Sequence, residues 1–357
     1  MSVTALAEKM PIAARRGEYR GAETVAAYSD PRTEFAEMVS GCAIYDLGWR
    51  AKIELMGKDR VRWLNGMVTN NIRDLAAGRG VYAFVLTPQG RILGDLYAYN
   101  RGESLLVDTD QSQAPKLLEI FRRYIIMDKV ELKVSDKLTA VGITGPKSRE
   151  VLRRAGFEVP QLVPLQLTEL NAETGLAPSL QGINLTLVRG ENEQRESYEM
   201  WLGPENIDQL WAALSKAYAT PVGSEVLELY RIAAGVPAYG QDIRDRDLPQ
   251  ETQQMHALSF TKGCYIGQEI VERIRSRGNV HRTFTGFLIE GSLPAAGNKL
   301  ELDGKEVGEI TSAASLPLAN GERPVALGYI RREVAGKVLQ AGQARATSTE
   351  LPFAEIF

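Results

Sequence analysis

The sequence predicts an α+β protein with a separate all-β part at its carboxy-terminal end. Two observations carry this. Up to about residue 280, strand-like alternation and helix-like apolar spacing follow one another as strand, helix, several strands, helix, strand, and a unit of similar pattern then recurs. After about Arg282 only short strand-like runs remain, broken by Gly, Asn and Pro turns, which predicts a small barrel or sandwich. The boundary is expected near residue 280, with a body over 1–280 and a barrel over 281–357.

The elements follow in order. Residues 51–57 (AKIELMG) alternate, Ile53 and Leu55 against Lys52 and Glu54, and predict a strand. Asp59 can then cap a short helix with Val61 and Leu64 on one face. Apolar runs broken at Pro88-Gln89-Gly90 and Asn100-Arg101-Gly102 predict a three-strand meander. Residues 114–126 place Leu117, Leu118, Phe121 and Ile125 at helical spacing. KVELKVS and LTAVGITG return to strand, so a meander-containing part spans about 51–140. INLTLVRG and SYEMWLG read as strands and residues 204–217 as a helix. Another helix follows, with Ser224 as its N-cap, Gly235 just past its end and Pro237 preventing continuation.

The 357 residues, 44% hydrophobic, suffice for two or three cores. A net charge of -3 argues against a protein that coats nucleic acid. No run approaches a membrane span and the first residues lack the apolar stretch of a signal peptide, so a cytoplasmic protein is expected. Cys42 and Cys264 are the only cysteines and His256 and His281 the only histidines. That is too few for a zinc or cluster site held by this chain alone, and no metal ligands are assigned. Phosphate-loop, dinucleotide, GxSxG and HExxH motifs are all absent.

The segment TKGCYIGQEIVERIRSRGNVHR, residues 261–282, stands out. Gly263 and Gly267 bracket Cys264 and permit a tight turn. From Ile266 on, apolar residues recur at helical spacing, with Glu269 and Glu272 early and Arg273, Arg275 and Arg277 late, an order that complements a helix dipole. A helix start and Lys262 both favour a thiolate at Cys264. The alternative is a small apolar residue in a turn. The arginines are either a solvated helix face or an anion site for a polycarboxylate tail or a phosphate backbone.

KGCYIGQE (262–269) resembles the signature octapeptide of the YgfZ-type proteins, in the superfamily of the glycine-cleavage aminomethyltransferase, the T-protein. RIAAGVPAYGQDI, DLPQE, VRWLNGMVTNNI and the meander, GEITSAAS and VALGYI are similar to other segments of that superfamily. The resemblance covers nearly everything after about residue 40. It implies two intertwined ferredoxin-like α+β domains and a small carboxy-terminal β-barrel arranged around a central folate pocket. It also implies a tetrahydrofolate cofactor, or a one-carbon derivative. The expected role is support of iron–sulfur cluster assembly or repair, including that of tRNA-modifying enzymes, with iron–sulfur client or assembly proteins as partners.

Carried over by motif, Cys264 is the reactive thiol and Lys262 its charge partner. Glu199 of SYEM is placed at the pteridine edge, where a carboxylate can accept from the 2-amino pyrimidine ring. Arg231 is a donor to the ligand, and Tyr82 and Tyr239 are aromatic walls. T-proteins carry adjacent aspartates where this chain has Gly94 and Asp95, so only Asp95 remains for folate chemistry. A T-protein tyrosine aligns near Asn192. Both departures weaken the alternative of folate-dependent aminomethyl transfer. A third reading, an RNA or protein adaptor, would use Arg273, Arg275, Arg277 and Arg282.

Overall fold

Alternation over residues 51–57 becomes the strand Arg50–Met56. In the computed structural model, which describes residues 2–10, 14–171, 180, 182–278 and 280–354 (at Arg277 the backbone only), this strand lies inside a five-stranded sheet. The sheet order is Arg79–Leu86, Ile92–Asn100, Leu105–Asp110, Arg50–Met56, Glu131–Val134. The first three are the predicted meander. Chain packing divides the molecule into two units. The first comprises Met1–Leu64, Asn71–Tyr82 and Leu96–Leu227, the second Asn65–Asn70, Ala83–Asp95 and Glu228–Phe357.

In the first unit a six-stranded sheet runs Leu167–Leu170, Leu185–Arg189, Ser197–Leu202, Thr139–Thr144, Ala43–Asp46, Thr220–Val222. Tyr198, Met200 and Leu202 point to one face, where they pack with Leu210 and Leu214 of the helix Ile207–Lys216. Each such leucine contributes about 1.5–3 kcal/mol by leaving water. Trp201 points to the opposite face, as period-2 geometry requires, and packs with Tyr99 and Leu106 of the five-stranded sheet. This second core binds the two sheets of the unit. The helix expected over 204–217 has two parts, a 3-10 turn at Pro204–Asn206 and the α-helix Ile207–Lys216.

The amino-terminal residues, for which the sequence offered no element, form a three-stranded sheet of Ser2–Val3, Ala22–Ala27 and Arg15–Tyr19 and the helices Ala5–Lys9 and Pro31–Ser40. Glu34, fully buried, accepts hydrogen bonds from the backbone of Tyr28 (2.8 Å), Ser29 (2.5 Å) and Gly223 (2.8 Å). A buried carboxylate reads from sequence as a surface residue, and its backbone donors leave no side-chain signal.

In the second unit the carboxy-terminal strands close into a six-stranded barrel, which decides between barrel and sandwich. Arg282–Glu290 pairs with both Gly321–Arg331 and Ala344–Thr349. Phe287, Ile310, Ala326 and Leu339 fill its interior. The helix Ser224–Ala233 begins in the first unit and ends in the second. Gly235 terminates it as expected: its φ is +70°, its N–H reaches Ile232 O, and the Val236 N–H reaches Arg231 O. The helix expected from Ile266 starts only at Gln268, because Gly267 adopts φ +84°. Cys264 therefore lies a full turn ahead of the helix, where the dipole fades. Among the described residues no helix is long and apolar enough to cross a membrane.

Candidate functional site

The first unit builds a buried charged floor from the strand alternation. Lys52 and Asp108 sit directly opposite each other on neighbouring strands, as do Arg50 and Asp110. Lys52 is 1% exposed and Asp108 is fully buried, and Nζ lies 2.8 Å from Oδ2. Arg50 reaches Asp108 at 2.9 Å and Asp110 at 2.8 Å. Burial opposes the Arg50 charge, yet Asp108, Asp110 and Glu199 outweigh it and hold its pKa well above the ordinary value.

Glu199 lies above this floor. Lys52 Nζ is 3.9 Å from its Oε2 and 4.5 Å from the centroid of the Trp201 ring. Glu199 and Trp201 stand two residues apart on one strand and share its face. The indole Nε1 donates to Glu199 Oε2 at 2.8 Å. Among the described residues Oε1 has no hydrogen-bond partner, and the side chain is 27% exposed.

An aromatic row extends from this carboxylate. Trp201 meets Tyr99 edge-on at 4.9 Å, Tyr99 stacks with Tyr97 at 6.4 Å, and Tyr97 tilts against Tyr82 at 5.0 Å. Gly80 makes room for it, since a Cβ there would sit 2.4 Å from the Tyr99 ring. The Tyr97 hydroxyl donates to Glu191 at 2.8 Å. Burial, then the charge of Glu191, pushes the Tyr97 phenol well above its ordinary pKa. Burial, then Glu199 and Asp108, does the same to Tyr99. Both phenols stay neutral. Of the residues named from sequence, this unit contains Glu199 and Tyr82, which stand at opposite ends of the row, and Tyr82 is buried. Lys52, Asp108, Tyr97 and Trp201 were not named. Their signal was VDTD, two acids inside an apolar strand, and the Glu199–Trp201 spacing.

Asp95, Arg231, Tyr239, Lys262 and Cys264 fall in the second unit. Lys262, 6% exposed, donates from Nζ to the carbonyls of Asn65 (2.5 Å), Val68 (2.7 Å) and Asn70 (2.7 Å), and lies over the Tyr265 ring. The octapeptide is locked further along by Gly267, where a Cβ would come within 2.5 Å of Thr87 O. Cys264 is an exposed free thiol. Cys42 is its opposite: burial pushes that thiol up to about 12 against the hydrogen bond to Ser148.

The Tyr239 hydroxyl contacts Leu93 O (2.6 Å) and Asp245. Burial, the Asp245 bond and the charge of Asp95 raise its pKa. Arg231 is buried and engages Asp242 (2.6 Å), Glu228, Val236 O (3.1 Å) and Ser312 (2.8 Å). The arginine strip is matched by acids: Arg273 with Glu269 (2.6 Å), Arg275 with Glu272 (3.4 Å), Arg282 with Asp247 (2.6 Å) and Glu251 (3.0 Å). The side chain of Arg277 lies outside the described residues.

The frame is that of an aminomethyltransferase T. The glycine cleavage system aminomethyltransferase T from Bartonella henselae superposes with a TM-score of 0.84 at 20% identity, over 99% of this chain and 98% of that one. The GCVT N-terminal domain family matches residues 12–262, and the chain belongs to that family. A chloroplastic protein from Arabidopsis thaliana, a transferase by name, is 27% identical over 85% of this chain and 69% of its own. An aminomethyltransferase from Streptomyces avermitilis is 26% identical, over 88% and 84% respectively.

Lys262→Met removes the donor shared by three carbonyls and should lower the free energy of unfolding by about 2–4 kcal/mol, measured by urea denaturation. Cys264→Ser, at an exposed position, should change it by less than about 0.5 kcal/mol. Equal effects of the two would show that Lys262 does not anchor this loop.

Proposed function

We propose that this chain binds tetrahydrofolate or a one-carbon derivative, as a YgfZ-type member of its family, and supports iron–sulfur cluster assembly or repair. The observation that carries the folate reading is Glu199. Its Oε1 is open, its Oε2 is held by Trp201, and it stands at the head of a row of aromatic rings. A pteridine has what such a place selects: a flat face for aromatic contact and an amino-pyrimidine edge of N–H donors for a carboxylate. Tyr97, partly exposed, is the ring of that row open to such a ligand, while Tyr82 packs behind it. Bound tetrahydrofolate would supply a one-carbon carrier; the chain's own part is to orient the ring.

Support for the iron–sulfur role is the octapeptide KGCYIGQE, with Cys264 exposed and Lys262 anchoring the loop that carries it. In this reading Cys264 is the reactive thiol, and Lys262 acts through the backbone. Arg231, Tyr239 and Asp95, the other folate contacts carried over from the resemblance, fall in the second unit. Aminomethyl transfer is the second reading, favoured by the names of the bacterial relatives. Gly94 weighs against it, leaving Asp95 as the one carboxylate of that pair.

Calorimetric titration with 5-formyltetrahydrofolate should show saturable binding, weakened about tenfold or more by Glu199→Gln, which loses a charged acceptor. Absence of binding to the wild-type protein at millimolar ligand would overturn the folate reading. In cells lacking the native protein, Cys264→Ala should fail to restore iron–sulfur enzyme activity while accumulating normally. Full restoration would remove the thiol from the function, and turnover of an aminomethyl-lipoyl protein with tetrahydrofolate would assign group transfer instead.

A further inference from the structure

We infer that Trp201, supported by Lys52, is a positioning residue that fixes Glu199 to read the amino-pyrimidine edge of a pterin. The inference rests on the folate reading and specifies how that site recognises its ligand.

A partly exposed glutamate ordinarily samples several rotamers, and ordering it on binding costs free energy. Here the carboxylate is restrained from two sides. The Trp201 indole N–H donates to Oε2 at 2.8 Å. Lys52 Nζ approaches the same oxygen to 3.9 Å from beneath and lies 4.5 Å from the centre of the Trp201 ring. Lys52 cannot swing away. It is 1% exposed and is held from the other side by Asp108 at 2.8 Å. Trp201 is equally fixed, 1% exposed and braced edge-on by Tyr99 at 4.9 Å.

The consequence is directional. With Oε2 tied to the indole, Oε1 is left without a hydrogen-bond partner among the described residues, and the carboxylate keeps acceptor capacity for a ligand. An edge presenting two parallel N–H donors matches such a carboxylate, whereas an edge lacking one leaves a desolvated acceptor unpaired. Trp201 therefore acts on selectivity for the 2-amino group rather than on general affinity.

The test compares tetrahydrofolate with its 2-desamino analogue by titration. Wild-type protein should prefer tetrahydrofolate by about tenfold or more, the worth of a charge-assisted hydrogen bond. Trp201→Phe keeps an aromatic ring over Lys52 but removes the donor. It should erase most of that preference, weakening tetrahydrofolate while the analogue's Kd stays within about twofold. Glu199→Gln should erase the preference as well. An unchanged preference in Trp201→Phe, or an equal loss for both ligands, would mark the tryptophan as packing only and overturn the inference. No preference in the wild-type protein would instead remove Glu199 from pterin recognition. Should Trp201→Phe not fold, the wild-type indole N–H resonances carry the test. One of them must shift on Glu199→Gln and again on adding tetrahydrofolate, and an unmoved set would overturn the inference.

Discussion

Lys52 and Asp108 meet at 2.8 Å with almost no exposure, and the arrangement of the first unit turns on that pair. Removing two charges from water is expensive, and their attraction offsets the penalty only when geometry and neighbours are right. The neighbours are Arg50 beside Asp108, the Trp201 ring over the ammonium, and Glu199 above it. The register of the two strands sets both cross-strand pairs, Lys52 with Asp108 and Arg50 with Asp110. A slip of one residue would turn both cations to the apolar face. A buried pair of this kind is weak evidence for stability and better evidence for a specified geometry. Here the geometry it specifies is the orientation of Glu199 and the aromatic row beside it.

The second unit solves a different problem. Residues 65–70 carry the carbonyls of Asn65, Val68 and Asn70, and the Lys262 ammonium donates to all three. A lysine suits this because it offers three donors from one point. The charge that the sequence assigns to the neighbouring thiol is thus also a structural support. The octapeptide then divides its labour: Lys262 and Gly267 hold the loop, and Cys264 stands exposed on it.

What was legible in the sequence was local. The end of the helix at Gly235 could be read because its whole signal lies within a few residues. So could the meander, with its turns at Gly90 and Gly102. The longer barrel strands were visible, whereas Lys299–Leu302 and Val338–Ala341, four residues each, are too short to show alternation, and Ala344–Thr349 carries only small and polar residues. Lys52 shows the limit most clearly. Alternation with Ile53 and Leu55 gives a strand two faces but does not say what covers the second. Its partner Asp108 and its cover Trp201 come from distant segments. Glu199 was named through a family resemblance, while the residues that hold it could be found only in three dimensions. The start of the helix at Gln268 was misplaced because a glycine's choice of positive φ is not written in apolar spacing.

The central claim is that Glu199 faces the amino-pyrimidine edge of a folate. A crystal structure with 5-formyltetrahydrofolate tests it most directly. The account predicts the 2-amino nitrogen at about 2.7–3.0 Å from Glu199 Oε1, with the indole bond to Oε2 intact. A pteridine bound with that edge directed away from Glu199, or with Glu199 left solvated, would contradict it.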